Sequence, residues 1–252
     1  MNCIVFTKAR VVDPSQNLDK VTNLVVEGGK VKNIVDVIEE ASFPQGTEFF
    51  SCEGKVILPG LVDMRCFLGE DEAATDQRLL QLDESAAAGG ITTLVLHPDG
   101  TMFLDKPEEV ALLQDKLQKL CKVKVYLAAG IDKAQSEKEL SEYGLLKKAG
   151  ALALSTGKRT LQHCGFLRKA MLYAQDFSLP LLMETQEPEL ATQTVIGEGK
   201  IATLCGYVGA PKIAEKIALQ RDLSLITGIN VAYHANQLSC LESLEVLQKE
   251  KS

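Results

Sequence analysis

Residues 179–184 form a short and almost wholly apolar run, LPLLME, that points to the fold. A run of this length without polar alternation is typical of a strand that is buried on both faces of a parallel sheet. Five further stretches share its length and its apolar or β-branched character, namely GLVDM (60–64), TTLVLH (92–97), VKVYLAA (123–129), ALALS (151–155) and INVAYH (229–234). The sequence therefore predicts six strands of one parallel sheet.

A longer amphipathic stretch follows each predicted strand. These predicted helices cover 74–88, 107–121, 134–149, 164–177, a broken stretch after Pro188 together with 211–227, and 237–250. The alternation predicts βα units, and six such units favour an α/β fold in which an incomplete TIM-like (β/α) barrel lacks two of its eight units. An open doubly wound sheet is the rival. It is disfavoured because the Gly-x-Gly-x-x-Gly phosphate fingerprint is missing after the first strand.

Residues 1–57 have a different pattern, in which short β-branched segments surround turn signals such as Glu27-Gly28-Gly29. We predict a small N-terminal β unit over 1–57, as part of a β-sandwich. The incomplete barrel is then expected to cover 58–252.

The composition of the 252-residue chain is that of a globular protein, with 46% hydrophobic and 24% charged residues and a net charge of -7. It has no basic stretch longer than two residues and no apolar run long enough to cross a bilayer. The N-terminus has no signal-peptide pattern. Seven scattered Cys residues include no Cys-x-x-Cys pair and predict reduced, mostly buried thiols. We therefore expect a cytoplasmic protein that binds neither nucleic acid nor membrane.

Four segments of the chain resemble the cyclic amidohydrolases, and the dihydroorotase family most closely. EGKVILPGLVDMRCFLGE (53–70) is similar to the family's GKxxLPGLVDxHxHxR, and GGITTLVLHPDG (89–100) is similar to its GGxTTxxxMPNT. Residues 150–191 are similar to GAxAFSDDGxPV and the later PxxxHAEDxxL, and residues 197–228 to EGxxSxxLGxxGxPxxAExxxxxRD. The resemblance extends over almost the entire chain and implies the amidohydrolase barrel.

The resemblance also implies a zinc centre at the C-terminal ends of the barrel strands. In the family, zinc lowers the pKa of a bound water, and the resulting hydroxide attacks the ring amide. The family's paired His residues of the first strand correspond here to Arg65 and Phe67, and its Arg for the substrate carboxylate corresponds to Gly69. The Asn of MPNT corresponds to Asp99, which would repel a carboxylate substrate.

The remaining ligand positions are replaced as well. The family's ligand Asp falls near Thr156, the His of the fifth strand falls on Glu184, and the His of the sixth strand falls on Tyr233, with His234 one place later. Because the sequence stops at Ser252, we expect the strand that carries the family's catalytic Asp to be missing. We call the replaced positions the vestigial pocket and assign no catalytic residue among them; they are Arg65, Phe67, Gly69, Asp99, Thr156, Glu184 and Tyr233.

Two interpretations of the charged residues in this pocket stay open. Arg65 and Glu184 could neutralise each other where the family holds its metal, because a buried cation needs a counter-charge. Alternatively, Arg65 could bind a small anion. A new zinc site made of His97, Glu184 and His234 is a less favoured alternative, since two imidazoles and a carboxylate suit zinc. Against it, His234 alternates with Tyr233 and is expected to point into the helix layer.

Two smaller expectations come from local pattern. The guanidinium of Arg65 would lower the pKa of the neighbouring Cys66 thiol, although no His is suitably placed as a base. The pair Asp83-Glu84 falls on a predicted helix and is expected on a solvated face.

These replacements favour a protein that keeps the family's fold without its chemistry. We expect a non-catalytic dihydroorotase-like protein with no cofactor, acting as a structural or regulatory partner of aspartate carbamoyltransferase in pyrimidine biosynthesis, a role that the resemblance implies. The alternatives are a residual or repurposed cyclic-amide hydrolase, which would use zinc, and a small-anion sensor that uses the vestigial pocket. The exposed strand edges of an incomplete barrel also predict a homo-oligomer or a hetero-complex with aspartate carbamoyltransferase.

Overall fold

A computed structural model describes residues 3–69, 76–100, 102–192 and 194–250 of the chain. Two compact units are present, Met1–Leu61 and Val62–Ser252. The first unit ends inside the stretch 60–64 that the sequence predicts as the first barrel strand.

The first unit is a five-stranded β-sheet. Its strands are β1 (Cys3–Asp13), β2 (Leu18–Glu27), β3 (Lys30–Val35), β4 (Glu48–Ser51) and β5 (Val56–Ile57). They lie in the order β3-β2-β1-β4, and β5 also pairs with β1. A tight turn joins β2 to β3, because Gly28 and Gly29 both adopt the positive φ values, 58° and 77°, that such hairpin turns require.

The second unit alternates strands and helices. Its strands are β6 (Leu61–Cys66), β7 (Ile91–Leu96), β8 (Lys124–Gly130), β9 (Ala151–Ser155), β10 (Leu181–Glu184), β11 (Ile196–Gly197), β12 (Gly209–Ala210) and β13 (Tyr233–Asn236). Its α-helices are α1 (Asp76–Ala88), α2 (Pro107–Leu120), α3 (Tyr143–Lys148), α4 (Cys164–Asp176), α5 (Pro188–Ala191), α6 (Lys200–Cys205), α7 (Lys212–Ile226) and α8 (Leu241–Glu250). Short 3-10 helices are found at Pro14–Gln16, Glu40–Ser42 and Lys133–Gln135.

The main sheet of the second unit, within the described residues, has six strands in the order β6-β7-β8-β9-β10-β13. Parallel pairing joins the strands from β7 to β13. The order follows the chain without reversal, whereas a doubly wound sheet reverses its order at a switch point. The predicted α/β fold, an incomplete TIM-like (β/α) barrel with an N-terminal β unit, is confirmed.

The main sheet is strongly curled. Three strands separate β6 from β10, so a flat sheet would hold them about 19 Å apart. Arg65 at the end of β6 nevertheless contacts Glu184 at the end of β10. Only a curled sheet brings these two side chains together, and curling is the geometry of a barrel wall.

The two faces of the curled sheet are both apolar. One face packs against the helices and contributes residues such as Leu96 and Leu127 to the main core. Alternate residues of four strands point to the opposite face, which we call the inner face, and form a second buried cluster of Val95, Ala128, Ala153 and Leu182. Burial on both faces explains why runs such as 179–184 show no polar alternation.

The third helix is shorter than the pattern indicates. The sequence predicts a helix over 134–149, but α3 begins only at Tyr143. Ala134 and Glu137 have φ values of 51° and 53°, which an α-helix does not allow. The buried carboxylate of Asp132 holds this loop by accepting a hydrogen bond of 2.6 Å from the backbone N–H of Glu137. The predicted start of the first helix, at 74–75, lies outside the described residues.

The sixth strand is displaced along the chain, and its register with β10 gives Tyr233 and His234 orientations opposite to the predicted ones. The predicted strand covers 229–234, whereas β13 covers Tyr233–Asn236. His234 pairs in register with Leu182 and therefore lies on the inner face. The hydroxyl of Tyr233 donates a 2.7 Å hydrogen bond to Asp222 of α7, so Tyr233 points into the helix layer. The prediction that His234 points into the helix layer is wrong.

A buried carboxylate of α1 organises the turn before β8. Asp83 is only 3% exposed, and it accepts hydrogen bonds from the backbone N–H groups of Lys122 and Val123 at 2.7 and 2.8 Å. The expected position of Asp83 on a solvated face is wrong, because buried backbone donors of a neighbouring turn need an acceptor there.

A second buried carboxylate attaches α8 to α7. Glu215 of α7 accepts hydrogen bonds from the backbone N–H groups of Ser239 and Cys240 at 2.9 and 3.1 Å, and another from the Ser239 hydroxyl. These residues immediately precede α8, where a helix has backbone donors without intrahelical partners. Burial would raise the pKa of Glu215, but the hydrogen bonds from the serine hydroxyls and the backbone outweigh it and hold the pKa below its ordinary value.

In the ranges that the structure describes, no helix is both long and apolar enough to span a membrane.

All seven cysteines are free. Two of the seven, Cys3 and Cys52, are buried, three are partly exposed, and Cys164 and Cys205 are exposed, so the prediction of mostly buried thiols is wrong.

We expect the substitution Glu215→Gln to lower the free energy of unfolding by about 1–3 kcal/mol, because charged acceptors make stronger hydrogen bonds than neutral ones. Chemical denaturation at neutral pH measures the loss. A carboxyl whose folded pKa is depressed stabilises the fold above its ordinary pKa and loses that contribution as the pH falls through the folded value. The difference between wild type and variant should therefore close below the ordinary pKa of 4.5.

The exposed Glu245 of α8 offers a matched control. Glu245→Gln should leave the unfolding midpoint unchanged at every pH. Equal midpoints for wild type and Glu215→Gln at neutral pH would contradict the role assigned to Glu215.

Candidate functional site

A cleft of about 510 Å³ lies at the C-terminal ends of the sheet strands. Parallel strands of a barrel carry functional residues at these ends. We call it the strand-end cleft, and it is lined by Pro98, Asp99, Gly100, Gln135, Lys158, Arg159, Thr160, Glu184, Gln186, Pro188, Ala191 and Thr192. Of the vestigial pocket, Asp99 and Glu184 line this cleft.

The innermost polar contact is an ion pair between Arg65 and Glu184. The Nη2 atom of Arg65 donates to Oε2 of Glu184 at 2.6 Å, and the two side chains are 17% and 15% exposed. Burial raises the pKa of the Glu184 carboxyl above its ordinary value, and Arg65 opposes that rise. The pair that the sequence suggested is present, and it occupies the positions that correspond to metal ligands in the resembling family.

The ring of Phe67 lies between this ion pair and a second ion pair, formed by Lys158 and Asp99. The guanidinium carbon of Arg65 and Nζ of Lys158 lie 4.8 and 4.9 Å from the ring centroid of Phe67, within the range of cation–π attraction. Lys158 also pairs with the buried Asp99 at 3.1 Å. Phe67 therefore fills the former ligand position with an apolar ring that favours cations beside it.

Both ring nitrogens of His97 make hydrogen bonds within the protein, so His97 is not available as a metal ligand. It is fully buried, with Nε2 2.8 Å from the carbonyl oxygen of Met64 and Nδ1 2.7 Å from Oγ of Ser155. Because a carbonyl only accepts hydrogen bonds, Nε2 carries the proton and Nδ1 accepts from the serine hydroxyl. Burial lowers the pKa of His97, against the influence of the Met64 carbonyl, so the ring is neutral. Both nitrogens are occupied by contacts that join β6, β7 and β9.

The residues present do not fit the zinc centre that the resemblance implies. Arg65 has no lone pair and would repel a dication. Glu184 is held by Arg65, and neither nitrogen of His97 is available. His234 lies two residues before the end of β13, away from the end where Glu184 pairs with Asn236. Among the residues that the structure describes, no group of three or more His, Cys, Asp or Glu could hold a metal ion.

The remaining positions of the vestigial pocket have separate surroundings. The Oγ1 atom of the buried Thr156 accepts a hydrogen bond from the backbone N–H of Glu184 at 3.3 Å. Gly69 lies outside the strand-end cleft, with Nη1 of Arg78 3.8 Å from where its Cβ would be. Tyr233 was assigned to the pocket, and this is wrong because its hydroxyl is bound to Asp222 in the helix layer.

Arg159 is a cleft residue that the motif comparison missed. Its guanidinium pairs with Asp132 at 2.5 Å and with Glu137 at 3.2 Å, which links the loop after β8 to the loop after β9. The sequence feature that could have identified Arg159 is the Lys158-Arg159 pair, which directly follows the glycine turn after Thr156. Gly157 is needed at that turn, since it has a φ of 66° and a Cβ there would lie 2.6 Å from the carbonyl oxygen of Pro98.

The cations of the site have carboxylate partners, which bears on an anion-binding role. Arg65, Lys158 and Arg159 each contact at least one carboxylate. Arg65 uses its Nη2 atom on Glu184, while its buried Nε atom has no hydrogen-bond partner. The cleft is therefore balanced in charge rather than cationic.

Cys66 has none of the properties of a nucleophile. Burial, together with the nearby charge of Asp63, raises the pKa of its thiol to about 11. The expectation that Arg65 lowers this pKa is wrong, because Arg65 is bound to Glu184 on the inner face while Cys66 alternates to the other face.

We expect Arg65→Met to lower the free energy of unfolding at neutral pH by about 3 kcal/mol, because it leaves a poorly hydrated carboxylate without a counter-charge. The pKa of Glu184 is already raised by burial and should rise further in the variant. A carboxyl with a raised folded pKa takes up its proton more readily in the folded state, so the variant should regain stability as the pH falls. Thermal unfolding between about pH 8 and about pH 5 tests this.

The double variant Arg65→Met with Glu184→Met should recover most of the loss, since an apolar pair of similar volume can replace a buried ion pair. The exposed pair of Arg10 and Asp19 is the matched control, and Arg10→Met should leave the unfolding midpoint unchanged. A loss for Arg65→Met that is independent of pH, or a double variant as unstable as the single one, would show that the charge of Glu184 is not the cause.

Comparison with known proteins agrees with this geometry. The family model described as "Dihydro-orotase-like" matches residues 54–243. A dihydroorotase of Syntrophus aciditrophicus is 29% identical over 248 residues, which cover 98% of this chain and 58% of that protein. A dihydroorotase-like protein of Pseudomonas aeruginosa is 31% identical over 250 residues, which cover 97% of this chain and 57% of that protein. The chain thus spans little more than half the length of these relatives.

Solved structures share the fold of this chain. The L-hydantoinase of Arthrobacter aurescens superimposes with a TM-score of 0.75 at 18% identity, over all of this chain and 56% of that one. A D-hydantoinase superimposes with a TM-score of 0.73 at 16% identity, over 99% of this chain and 55% of that one. Curled sheet, strand-end cleft and family match together establish that this chain belongs to the dihydroorotase-like family.

Proposed function

We propose that this chain is a non-catalytic member of the dihydroorotase-like family. The observation that carries the proposal is the 2.6 Å ion pair between Arg65 and Glu184 at the positions of metal ligands. Hydrolysis in this family requires a metal-activated water, and a guanidinium can neither bind a metal nor activate water as a base. In its place the pair joins the first and fifth strands of the curled sheet.

The neighbouring residues support the same proposal. A general base near the cleft would have to accept a proton at neutral pH. His97 is neutral but already uses its free lone pair on the Ser155 hydroxyl. Asp99 is bound to Lys158, and Glu184 to Arg65. The groups that could act as bases in the cleft are thus engaged in contacts that hold the sheet together.

We expect the purified chain, incubated with excess zinc and dialysed, to retain near zero zinc per chain, because the ligand set for zinc is missing. Elemental analysis measures the ratio directly. Dihydroorotate hydrolysis by the same preparation should equal the rate without protein.

The three His residues provide the controls for this measurement. Zinc that is lost in His163→Ala is bound at the surface, since His163 is exposed and directly precedes α4. Stoichiometric zinc that survives His163→Ala but is lost in His97→Ala and in His234→Ala would overturn the proposal and favour a repurposed hydrolase.

We further propose that the chain serves as a structural or regulatory partner of aspartate carbamoyltransferase in pyrimidine biosynthesis. Membership of the dihydroorotase-like family supports a place in pyrimidine biosynthesis. A strand-end cleft without a metal-ligand set supports a role in assembling a protein complex rather than in catalysis. Exposed apolar side chains on the edge strand β6, among them Val62 and Met64, offer surface for a protein partner.

Mixing the chain with the aspartate carbamoyltransferase of the same organism should give a co-sedimenting complex at micromolar concentrations. An unrelated acidic protein of similar size should sediment independently of the chain, since shared net charge gives no attraction. Separate sedimentation of the chain and the carbamoyltransferase would reject this partner.

A further inference from the structure

Two polar groups at the deep end of the strand-end cleft are buried without partners. Asn236 is only 2% exposed, and among the described residues neither its amide oxygen nor its amide nitrogen has a hydrogen-bond partner. The buried Nε atom of Arg65 has none either. An unpaired polar group inside a protein lowers the stability of the fold, so its presence calls for a function such as ligand binding.

The two groups border the same carboxylate. Glu184 of β10 pairs in register with Asn236 of β13, so their side chains lie next to each other on the inner face. The other neighbour of this carboxylate is Arg65, whose Nη2 atom donates to Oε2 of Glu184. Glu184 itself lines the strand-end cleft, so a molecule in the cleft reaches Asn236 past the Glu184 side chain.

The other charged groups of the cleft are already paired. Lys158 contacts Asp99, and Arg159 contacts Asp132 and Glu137. Opposite charges at such short distances largely cancel, so the cleft has little attraction for an ion. An uncharged ligand therefore suits the cleft better than an anion.

Uncharged hydrogen-bonding groups also line the mouth of the cleft. Gln135 belongs to the loop after β8 and Gln186 to the loop after β10, and both border the cleft. Within the described residues, neither of these two carboxamides makes a hydrogen bond with the protein. Each offers a donor and an acceptor to a polar molecule in the cleft.

The groups at the deep end define the chemistry that fits there. The single recorded bond to the Glu184 carboxylate is at Oε2, so Oε1 can accept from an N–H group of a ligand. Nε of Arg65 and Nδ2 of Asn236 are donors and need an acceptor. A primary carboxamide carries an N–H donor beside a carbonyl acceptor and has no charge. A carboxylate has no donor, and Glu184 would repel it.

We propose that the strand-end cleft binds an uncharged small molecule whose primary carboxamide contacts Glu184, Asn236 and Arg65. The cleft volume of about 510 Å³ lies within the usual range for small-molecule sites. This inference goes beyond the proposed function, because binding of this kind needs neither a metal nor catalysis. The two can fail separately, since zinc content reports on the metal and a titration reports on the carboxamide.

The probes are nicotinamide and nicotinate, which share one ring and differ only in carrying a carboxamide or a carboxylate. Each is titrated into the whole chain by calorimetry. Nicotinamide should bind at one site per chain. Nicotinate should bind about 10-fold more weakly or worse, because its carboxylate leaves Glu184 without a donor and adds a like charge beside it.

The variant Asn236→Leu tests the buried amide. It should weaken nicotinamide binding by about 10-fold or more, because an acceptor on the ligand loses its donor. The unfolding midpoint of the free variant should equal or exceed that of wild type, since an apolar side chain of similar volume replaces an amide without a partner. A purely structural role for Asn236 predicts the opposite change in stability.

Asn23 of β2 is the matched control, because it is also a buried asparagine but is fully hydrogen-bonded. Its amide donates to the carbonyl oxygens of Val35 and Asp36 and accepts from the backbone N–H of Lys8. Asn23→Leu should lower the unfolding midpoint and leave nicotinamide binding unchanged.

A second pair of variants avoids the core. Gln186 is exposed at the cleft, and Gln118 is exposed on α2. Gln186→Met should weaken nicotinamide binding by about threefold or more, because it removes a polar contact at the mouth. Gln118→Met should have no effect.

Each result decides for or against the proposal. Preference for nicotinamide over nicotinate, lost in Asn236→Leu but kept in Asn23→Leu, supports it. Absence of nicotinamide binding overturns it and indicates that water alone meets the unpaired groups. Equal or tighter binding of nicotinate overturns it in favour of an anion site. Nicotinamide binding that both Asn236→Leu and Gln186→Met leave unchanged also overturns it.

Discussion

The contact between the guanidinium of Arg65 and the carboxylate of Glu184 is the constraint on which the inner part of this protein depends. The two residues are 119 positions apart in the chain and belong to the first and fifth strands of a six-stranded sheet. In a flat sheet they would be about 19 Å apart, so the contact exists only because the sheet curls. It also satisfies two charges that are mostly removed from water and that would each be costly alone.

Around this pair, several polar side chains of the strand ends contact one another, whereas the buried side chains of Thr185 and Asn236 have no hydrogen-bond partner. His97 joins three strands through its two ring nitrogens, Lys158 neutralises the buried Asp99, and Arg159 links two loops through Asp132 and Glu137. A reactive site keeps at least one group free to exchange protons or bind a metal. Here these side chains make electrostatic contacts that connect the strand ends of the sheet.

The segment between β10 and α7 differs from the inner face, because it exposes apolar side chains instead of pairing polar ones. Its polar groups are few, and its apolar side chains point outward on a small βαβ element that is separate from the main core. Burying such side chains releases free energy, whereas the polar contacts of the inner face already have their partners. The inner face therefore keeps its polar groups in internal contacts, whereas the segment between β10 and α7 leaves several large apolar side chains exposed.

Local pattern in the sequence was enough for the first five strands of the main sheet and for the order of the units, and the resemblance to the dihydroorotase family implied that residues such as Arg65 and Phe67 stand at metal-ligand positions. Apolar periodicity reports burial directly, and a motif position needs no three-dimensional information. The pattern failed where a buried polar group found a partner far away in the chain. The register of β13 decided that Tyr233 binds Asp222 and that His234 faces inward. Distant backbone donors likewise decided that Asp83 and Glu215 are buried. Only the curl of the sheet brought Arg65 to Glu184, because side-chain partners across a barrel depend on geometry that no local segment encodes.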